Sequence, residues 1–462
     1  MSLHKIDCLG NAKKIFFIGI GGISMSSLAF ICKEAGYDVA GSDRAESALT
    51  DKLKAADIPV FPRHDEKNIE GYDAVVYTGA IHADNPELSM AKRENLPIIY
   101  RATLLGDIMK NYRTRIGVAG MHGKSSATGM ISHLFLSAGK NPTVVSGAEM
   151  SDMNGAYRLG GKDFFIFEAC EYMDSFLHFF PTLAVILNIG LDHTDYFSGI
   201  EQIKASFAKY ADIAVNCGGA ALVNGDDENT LAATAACTHR VTFGITGENL
   251  DYRADNIAYN KGKASFSVMR GERKIADISL SVPGAHNIYN ALAACAAGDM
   301  HSLTYEEISA GVSSFSGISR RFEYKGSVGG ADIYIDYAHH PDEIEATIAC
   351  ARGICSGRVI CAFEPHTYSR TYALYDDFIA ALSEADAAVM LDVYAARETD
   401  TLGISSQAMA KCIKNGYYAE NYAKCAEMLR ALAGENDIIL ILGAGTVCKI
   451  ADFFCIKSRF MR

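Results

Sequence analysis

A glycine-containing loop after a short apolar run is the strongest chemical signal in the sequence. The run RIGVA is followed by GMHGKSS at 120–126 and then by a helix predicted to begin at Ala127. Glycines let the backbone close around phosphate oxygens, Lys124 offers a compact positive charge, and the Ser125 hydroxyl is an oxygen ligand for Mg²⁺. An ordinary phosphate loop has four residues between its two glycines, whereas Val118 stands here at the first glycine position. The predicted ATP-binding residues are Gly120, Met121, His122, Gly123, Lys124, Ser125 and Ser126. A structural glycine turn followed by an exposed lysine is the alternative.

Acidic and imidazole side chains follow two further apolar runs. Glu168 ends the run FFIF, and Asp192 and His193 follow AVILNI. Ligands collect at the carboxyl ends of parallel strands, so these side chains are expected near the phosphate loop. Phosphoryl transfer from ATP needs Mg²⁺, and Ser125, Glu168 and His193 are its predicted ligands. Taken singly, Glu168 or Glu171 also suits a surface charge, and His193 suits a hydrogen-bonded loop histidine.

A second glycine turn lies near the start of the chain. Gly19, Gly21 and Gly22 follow the run IFFI and precede a predicted helix. Asp43 comes about 20 residues later, where dinucleotide-binding folds place the acid that binds ribose hydroxyls. Ser24 stands at the position of the third glycine. A nucleotide-like ligand and a structural tight turn therefore both remain open for this motif.

Zinc and disulfide chemistry are not indicated. The adjacent His339 and His340 point in different directions on an extended segment, and no Cys or His stands beside them at zinc-like spacing. The 13 cysteines are odd in number and lack a Cys-x-x-Cys spacing. We therefore expect reduced cysteines that pack as small apolar side chains.

The composition indicates a globular protein and disfavours several function classes. The chain has 462 residues, of which 49% are hydrophobic and 21% charged, so two or three domains with apolar cores are expected. A net charge of −12 disfavours nucleic-acid binding, which requires a basic excess. Residues 15–32 carry no charge, but six Gly or Ser interrupt them, which favours a strand, a turn and a helix start over a signal peptide or membrane span. We expect a soluble, cytoplasmic protein.

The apolar pattern predicts an α/β fold of three domains, each with a mainly parallel sheet flanked by helices. Strand-like runs alternate with helical stretches along the chain, which is typical of βαβ units. Predicted strands lie at 15–18, 37–40, 74–77, 98–100, 115–119, 164–167, 182–189, 331–337, 358–363, 387–393 and 437–445, and helices include 24–35, 47–56, 290–297 and 342–352. The expected domains are a Rossmann-like N-terminal domain over 1–111, a P-loop-type central ATPase domain over 112–318 and a Rossmann-like C-terminal domain over 319–462.

Taken together, the motifs resemble the Mur ligase family of peptidoglycan synthesis. The matching segments include GMHGKSS, EACEYMDSFL, NIGLDH, GAHNIYNALAA at 284–294, SGISRRFE at 316–323, DYAHHP at 336–341 and EPHTYSRT at 364–371. The N-terminal segments GIGGISMSSLA, GSD at 41–43, ADNPE at 83–87 and RATLLG at 101–106 are similar to those of members that attach L-alanine to UDP-N-acetylmuramate. The resemblance implies an ATP-dependent, amide-bond-forming ligase that acts through an acyl phosphate.

The resemblance also implies roles for single residues. In addition to the phosphate loop, the implied ATP-binding residues are His286, Asn287, Asn290, Arg321 and Asp336. The implied acceptor and amino-acid residues on the C-terminal domain are Tyr337, His339, His366 and Arg370. The UDP end of the sugar nucleotide is implied to lie near Gly21, Gly22, Ser24 and Asp43. The implied catalytic residues are Lys124, Arg321, His339 and His366. The three domains would then bind the UDP-sugar, ATP with Mg²⁺, and the amino acid, and the C-terminal domain would close over ATP.

Four positions depart from the family pattern. Met121 and the pair Ser125–Ser126 stand where threonines are usual, and Thr367 stands where some members have arginine. Binding of the substrate carboxylate should therefore depend more on Arg370 than it does in the members that have this arginine. Some other members carry a carbamylated lysine at the metal site. We assign no equivalent of that lysine in this sequence, and Lys204 is not proposed for the role.

Three alternatives to this function remain open. A related ligase attaches a recycled tripeptide, rather than L-alanine, to the same sugar nucleotide. The glycine turn of Gly19, Gly21 and Gly22 alone would suit a nicotinamide-dependent oxidoreductase, and a degenerate site would suit a nucleotide-binding regulator. The expected partners are UDP-N-acetylmuramate and L-alanine, with no nucleic acid or membrane span, and the chain would act as a monomer or homodimer.

Overall fold

The N-terminal part of the chain forms a parallel sheet. The structure is a computed structural model that describes residues 6–153, 155–193, 196–396 and 398–454. The strands are β1 (Lys14–Ile18), β2 (Asp38–Ser42), β3 (Val60–Phe61), β4 (Ala74–Tyr77) and β5 (Ile98–Tyr100), and the helices are α1 (Ile23–Glu34), α2 (Ala48–Ala55), α3 (Pro86–Arg93) and α4 (Arg101–Met109). Their order is β3-β2-β1-β4-β5, with every pair parallel. This is the order of the first five strands of the dinucleotide-binding fold.

Local sequence explains several of these elements. Phe16 and Phe17 in β1 are both fully buried because helices cover both faces of a parallel sheet. Asn85 caps α3 by accepting hydrogen bonds from the backbone N–H groups of Glu87 and Leu88, and Pro86 occupies the first helical position, where its missing N–H costs nothing.

The middle part of the chain forms a larger sheet that carries the phosphate loop. Its strands are β6 (Thr114–Ala119), β7 (Thr143–Met150), β8 (Gly155–Arg158), β9 (Phe164–Glu168), β10 (Leu183–Ile186), β11 (Ala220–Asn224), β12 (Arg240–Gly244), β13 (Tyr252–Asn260), β14 (Lys263–Arg270) and β15 (Arg273–Ser279). Its helices are α5 (Lys124–Ser137), α6 (Ile200–Asn216), α7 (Glu228–Ala233), α8 (His286–Met300) and α9 (Tyr305–Ser313). The strand order is β15-β14-β13-β12-β11-β10-β6-β9-β7-β8, and β10, β6 and β9 are parallel neighbours.

Three predicted elements in this part of the chain have wrong boundaries, and the first, the helix expected over 290–297, spans His286–Met300. The helix expected from Ala127 begins at Lys124, because Gly123 adopts φ +83° and serves as the N-cap residue. The strand expected over 182–189 ends at Ile186. Beyond Ile186 the backbone bonds instead to a side chain at the end of β11, since Asn224 Nδ2 donates to the carbonyl of Leu187 at 2.9 Å.

The C-terminal part of the chain forms a third, mainly parallel sheet. Its strands are β16 (Glu323–Val328), β17 (Ala331–Asp336), β18 (Val359–Phe363), β19 (Ala387–Met390), β20 (Gly416–Tyr418) and β21 (Ile438–Leu442), and its helices are α10 (Pro341–Ile354), α11 (Tyr368–Ala373), α12 (Tyr375–Ser383), α13 (Ser406–Cys412) and α14 (Tyr422–Leu432). The order is β16-β17-β21-β18-β19-β20, and only the pair β16–β17 is antiparallel among the pairs that the described residues form. The predicted α/β class, with mainly parallel sheets flanked by helices, is confirmed.

Backbone contacts divide the chain into two compact units. The first holds the residues up to Asp255 together with Ser267–Ile278 and Tyr289–Phe315, and the second holds Asn256–Phe266, Ser279–Ile288 and the chain from Ser316 onward. The first unit therefore contains the N-terminal sheet and the phosphate loop. The predicted domain boundaries near 111 and 318 stay predictions, and their outer limits at 1 and 462 lie outside the described residues.

Two further expectations concern the thiols and the membrane. The cysteines within the described residues are free thiols, and several of them, including Cys32 and Cys295, are fully buried. This agrees with their predicted role as small apolar side chains. Within the described ranges, no helix combines the length and apolar character that crossing a bilayer requires.

Candidate active site

The phosphate loop is held in place by the residue that follows β10. Gly120 and Gly123 both adopt positive φ, at +143° and +83°, which glycine tolerates best. The backbone N–H of His122 donates to Asn188 Oδ1 at 2.8 Å, and Asn188 Nδ2 donates to the carbonyl of His122 at 3.0 Å. The loop conformation is therefore set by a side chain about 66 positions away, which the sequence analysis did not single out.

Replacing Asn188 with alanine should weaken both ATP binding and folding. Loss of its paired hydrogen bonds leaves a backbone N–H and a carbonyl of the loop without partners, which costs about 1–3 kcal/mol. We expect the KM for ATP to rise about tenfold, which corresponds to about 1.4 kcal/mol. Steady-state kinetics and urea denaturation measure the two effects. Asn188→Asp is the matched variant, because it keeps the acceptor for the His122 N–H; a KM for ATP unchanged in both variants would contradict the assignment.

Lys124 reaches back over the loop to a buried glutamate. Its Nζ donates to the carbonyls of Gly120 at 2.6 Å and Met121 at 3.2 Å, and to Glu171 Oε1 at 3.0 Å. The same Glu171 oxygen lies 3.2 Å from His193 Nε2. One carboxylate oxygen thus joins the loop lysine to a predicted metal ligand.

The burial of Glu171 corrects its interpretation as a surface charge. The residue is 0% exposed, and its second oxygen, Oε2, has no hydrogen-bond partner among the described residues. Burial acts to raise the pKa of Glu171, but the Lys124 ammonium and the hydrogen bond from His193 outweigh it and hold this pKa below its ordinary value. Burial conversely acts to lower the pKa of Lys124, and the charge of Glu171 raises it instead. Both groups are therefore ionised at neutral pH.

Ser125 and Glu168 form a second contact at the start of α5. The Ser125 hydroxyl donates to Glu168 Oε2 at 2.8 Å, and the backbone N–H of Gly147 donates to the same oxygen at 3.0 Å. A Cβ on Gly147 would lie 2.7 Å from Glu168 Oε2, so a larger residue there would displace the Glu168 carboxylate. The structure thus pairs Ser125 with Glu168 and His193 with Glu171. It gathers no cluster of three His, Cys, Asp or Glu side chains suited to a metal within the described ranges.

The loop that carries His193 is fixed by the segment after β11. Asn229 Nδ2 donates to the carbonyl of Ile189 at 2.9 Å, and the N–H of Ile189 points to Asp227 Oδ1 at 3.4 Å. His193 itself adopts φ +53°, and its ring centroid lies 4.8 Å from that of Tyr172. The predicted metal ligand is therefore placed by bonds between neighbouring strand ends.

The predicted UDP-end residues meet at the carboxyl edge of the N-terminal sheet. Asp43 Oδ2 accepts a hydrogen bond from the N–H of Gly21 at 2.9 Å, and a Cβ on Gly21 would lie 2.8 Å from that oxygen. Gly22 is the N-cap residue of α1, and Ser24 Oγ accepts a hydrogen bond from Arg101 at 2.9 Å. Arg101 places a cation beside the glycine turn, and sequence reasoning did not give it this position.

The implied ATP-binding residues His286, Asn287 and Asn290 are divided between the two units. Asn290 belongs to the first unit, where its Oδ1 lies 3.0 Å from the position of a Cβ on Gly123. His286 and Asn287 belong to the second unit. Burial and the charge of Arg321 lower the pKa of His286. Asn290 is therefore the member of this set that the structure places directly against the phosphate loop.

Asp336 and Arg321 lie together in the second unit. The N–H groups of Phe322 and Ala338 donate to the two Asp336 oxygens at 2.7 and 2.8 Å. Burial raises the pKa of Asp336, although Arg321 and these hydrogen bonds act in the opposite direction. The carboxyl group is thus held rigidly at the end of β17.

The predicted amino-acid residues form a row of rings at the carboxyl ends of β17 and β18. The Tyr337 and His339 ring centroids are 5.3 Å apart, and those of His339 and His366 are 6.1 Å apart. The guanidinium of Arg321 lies 5.1 Å from the Tyr337 ring centroid. Arg370 lies in α11, whose N-cap residue, Thr367, directly follows His366. The structure brings the three ring residues and Arg321 together and places Arg370 on the adjoining helix.

Comparison with known proteins gives the family. Residues 14–113, 118–298 and 320–445 match the models described as "Mur ligase family, catalytic domain", "Mur ligase middle domain" and "Mur ligase, glutamate ligase domain". The chain is 42% identical to the UDP-N-acetylmuramate–L-alanine ligase of Clostridium perfringens over 448 residues, which are 96% of this chain and 97% of that one. It is 43% identical to the ligase of the same name from Agathobacter rectalis over 457 residues, with coverage of 97% and 99%.

Solved structures give the same result. The crystal structure of a UDP-N-acetylmuramate-alanine ligase from Thermotoga maritima matches with a TM-score of 0.82 at 27% identity, covering 95% of this chain and 98% of that one. A murein peptide ligase from Psychrobacter arcticus, 21% identical, shares the fold with a TM-score of 0.72, covering 96% and 100%. The chain belongs to the Mur ligase family.

Proposed function

We propose that the chain is an ATP-dependent ligase that joins L-alanine to the carboxylate of UDP-N-acetylmuramate in the synthesis of peptidoglycan precursors. The observation that carries the proposal is the phosphate loop, with Lys124 and the Ser125–Glu168 pair, in a chain 42–43% identical over nearly its whole length to ligases of that name. The nicotinamide-dependent alternative leaves Lys124, Glu168 and His193 without a task.

Activation of the acceptor carboxylate is the first chemical step. A carboxylate is a poor acyl donor because its leaving group would be an oxide ion. Attack of a carboxylate oxygen on the γ-phosphorus breaks the bond to ADP and gives an acyl phosphate, from which phosphate can leave. Lys124, which has three donors and lies over the loop, stabilises the charge that develops on the transferred phosphoryl group, and Arg321 is the other cation proposed for this role.

Magnesium fits the residues at the loop. Ser125 Oγ and Glu168 Oε2 are hard oxygen donors 2.8 Å apart, and the buried Oε2 of Glu171 has no partner among the described side chains. Mg²⁺ in ATP-using proteins keeps several waters and takes one or two carboxylates with the substrate phosphates, so a cage of three acidic side chains is not required. Ser125, Glu168 and His193 would hold the ion, which neutralises charge between the phosphates when bound. Glu171 would orient the His193 ring.

Amide formation is the second chemical step. The α-amine attacks the acyl carbon, the C–N bond forms as the phosphate leaves, and the ammonium proton must be removed. His339 and His366 are the proposed acceptors of this proton, because their rings lie 6.1 Å apart at the edge where Tyr337 and Arg370 are proposed to hold the amino acid. The His339 Nδ1 lies 3.0 Å from the Tyr337 carbonyl and 3.1 Å from Glu343, which fixes its ring.

An endpoint assay of ADP formation tests the function. We expect ADP only when UDP-N-acetylmuramate, L-alanine and Mg²⁺ are all present, and none when UDP-N-acetylglucosamine, which lacks the lactyl carboxylate, replaces the acceptor. EDTA should stop turnover and excess Mg²⁺ should restore it. A panel of L-alanine, L-serine, glycine and a free tripeptide separates the two ligase functions. Turnover with the tripeptide and not with L-alanine would overturn the proposal in favour of peptide recycling.

A further inference from the structure

A strained pair of residues lies between the phosphate loop and the N-terminal sheet. Met173 (φ 53°, ψ 34°) and Asp174 (φ 54°, ψ 25°) are consecutive left-handed residues within the 3₁₀ segment Tyr172–His178. Left-handed backbone is unfavourable for residues with a Cβ, and two such residues in succession persist only where the surroundings hold them. Strain of this kind concentrates at functional sites.

The surroundings hold Asp174, whereas Met173 projects outward. Asp174 accepts hydrogen bonds from the Tyr196 hydroxyl at 2.8 Å and from the hydroxyl of the buried Ser206. The Met173 side chain, by contrast, remains 40% exposed. Burial of an apolar side chain in the core therefore does not explain why the left-handed conformation is kept at Met173.

Met173 lies against the carboxyl edge of the N-terminal sheet. Its Sδ is 3.2 Å from the position that a Cβ on Gly79 would take, and the Tyr100 hydroxyl is 3.5 Å from the same point. Gly79 follows β4 and Tyr100 ends β5, so this is the edge at which Gly21 and Asp43 also meet. Tyr100 is joined to the same strained segment, since its hydroxyl lies 3.0 Å from Ser175 Oγ.

The other side of the segment faces the proposed phosphoryl-transfer site. Tyr172, which precedes Met173, has its ring 4.8 Å from that of His193, and Glu171 contacts Lys124. A sugar nucleotide bound at the N-terminal edge must bring its carboxylate to Lys124. The part of the substrate between diphosphate and carboxylate must therefore pass the segment that presents Met173.

We propose that Met173 contacts the muramoyl part of the acceptor and contributes to its selection. The inference rests on the proposed function and deepens it. A thioether is apolar, polarizable and flexible, so it packs well against the C–H face of a sugar ring and the methyl group of a lactyl ether. The left-handed backbone turns this side chain out of the segment toward the sheet edge, which accounts for the strain that folding alone does not require.

Substitutions at Met173 separate a substrate contact from a structural role. Met173→Ala should raise the KM and Kd for UDP-N-acetylmuramate about tenfold, as expected for loss of a few apolar contacts in a substrate pocket. The KM values for ATP and L-alanine should change less than twofold. Met173→Leu should restore most of the affinity. Met173→Gly should lose the affinity while its Tm stays equal to that of the wild type or rises, because glycine adopts φ +53° without strain.

Asn95→Gly is the matched control. Asn95 is an exposed residue at φ +53°, so the change relieves the same backbone conformation away from the sheet edge. It should leave every KM unchanged. Unaltered sugar-nucleotide affinity in Met173→Ala, or a loss of Tm with a parallel rise of all three KM values, would overturn the inference. Calorimetric binding of UDP-N-acetylmuramate without ATP measures the Kd even if the wild type forms no amide, so failure of the proposed function is recognised separately.

Discussion

Lys124→Ala will leave a folded protein that forms almost no ADP. The Lys124 ammonium lies directly over the phosphate loop, within 3.2 Å of the carbonyl oxygens of Gly120 and Met121. Removal of a single positioned donor from a phosphoryl or acyl transition state costs about 10²–10³-fold in kcat, and removal of a full charge costs more. We expect kcat to fall at least about 10³-fold.

The measurement is ADP release with saturating UDP-N-acetylmuramate, L-alanine and Mg²⁺. Lys209→Ala is the matched control, because it removes the same charge from the exposed side of α6 in the same unit. It should retain wild-type turnover. Circular dichroism identifies a variant that has failed to fold. A folded Lys124→Ala protein with turnover within tenfold of the wild type would show that the loop does not bind the reacting phosphates.

The features that could be predicted from the sequence are those encoded locally. The runs IFFI and FFIF identify β1 and β9 because buried parallel strands are continuously apolar, and glycine loops after such strands mark ligand-binding edges. Because ligands collect at the carboxyl ends of parallel strands, Glu168 is also expected near the phosphate loop, and its Oε2 lies 2.8 Å from Ser125 Oγ. In each case the signal lies within a few residues of the feature that it predicts.

The features that could not be predicted depend on contacts between distant parts of the chain. Asn188 holds the loop from 66 positions away, and nothing in its neighbourhood distinguishes it from other polar residues at strand ends. Glu87 is 0% exposed and accepts hydrogen bonds from Ser42 and Asn68 at 2.7 Å. Its sequence context in α3, however, is that of an ordinary glutamate on the exposed face of a helix. Burial is a property of the assembled sheets, so a single sequence does not reveal it.

Glu171 is the instance with the largest energetic consequence. Its neighbours Glu168 and Asp174 are similar in type, and from the sequence Glu171 is interpreted as a surface charge. A buried carboxylate is stable only when it is paired, and the partner, Lys124, is 47 positions away. The pair therefore links the stability of the fold to the geometry of the phosphate loop.

A double-mutant cycle on Lys124 and Glu171 should give a large coupling energy. The side chains are 14% and 1% exposed and the Nζ–Oε1 distance is 3.0 Å. Removing one partner of a buried pair leaves an uncompensated charge, which costs about 3–5 kcal/mol. Lys124→Met and Glu171→Gln should each lower the free energy of unfolding by about 3 kcal/mol, and the double variant should lose less than the sum by about 2–3 kcal/mol.

The pH dependence of this coupling has a defined sign. The pKa of Glu171 is lower in the folded protein than its ordinary value of 4.5. The stabilisation is therefore complete at neutral pH, where the carboxyl group is ionised in both states, and it declines as the pH falls below 4.5 and through the folded value. Urea denaturation at neutral and acidic pH measures the decline.

The partly exposed pair Lys204–Glu201 is the control for the cycle. Its Nζ–Oε1 distance is also 3.0 Å, but Glu201 is 82% exposed, so the coupling should be below about 1 kcal/mol. Equal coupling energies in the two pairs would contradict the conclusion that burial strengthens the Lys124–Glu171 pair. The double variant Lys124→Met/Glu171→Gln should recover stability and yet form no ADP, because the charge that compensates Glu171 in folding is the same charge that phosphoryl transfer requires. Recovery of turnover together with stability would show instead that the pair serves folding alone.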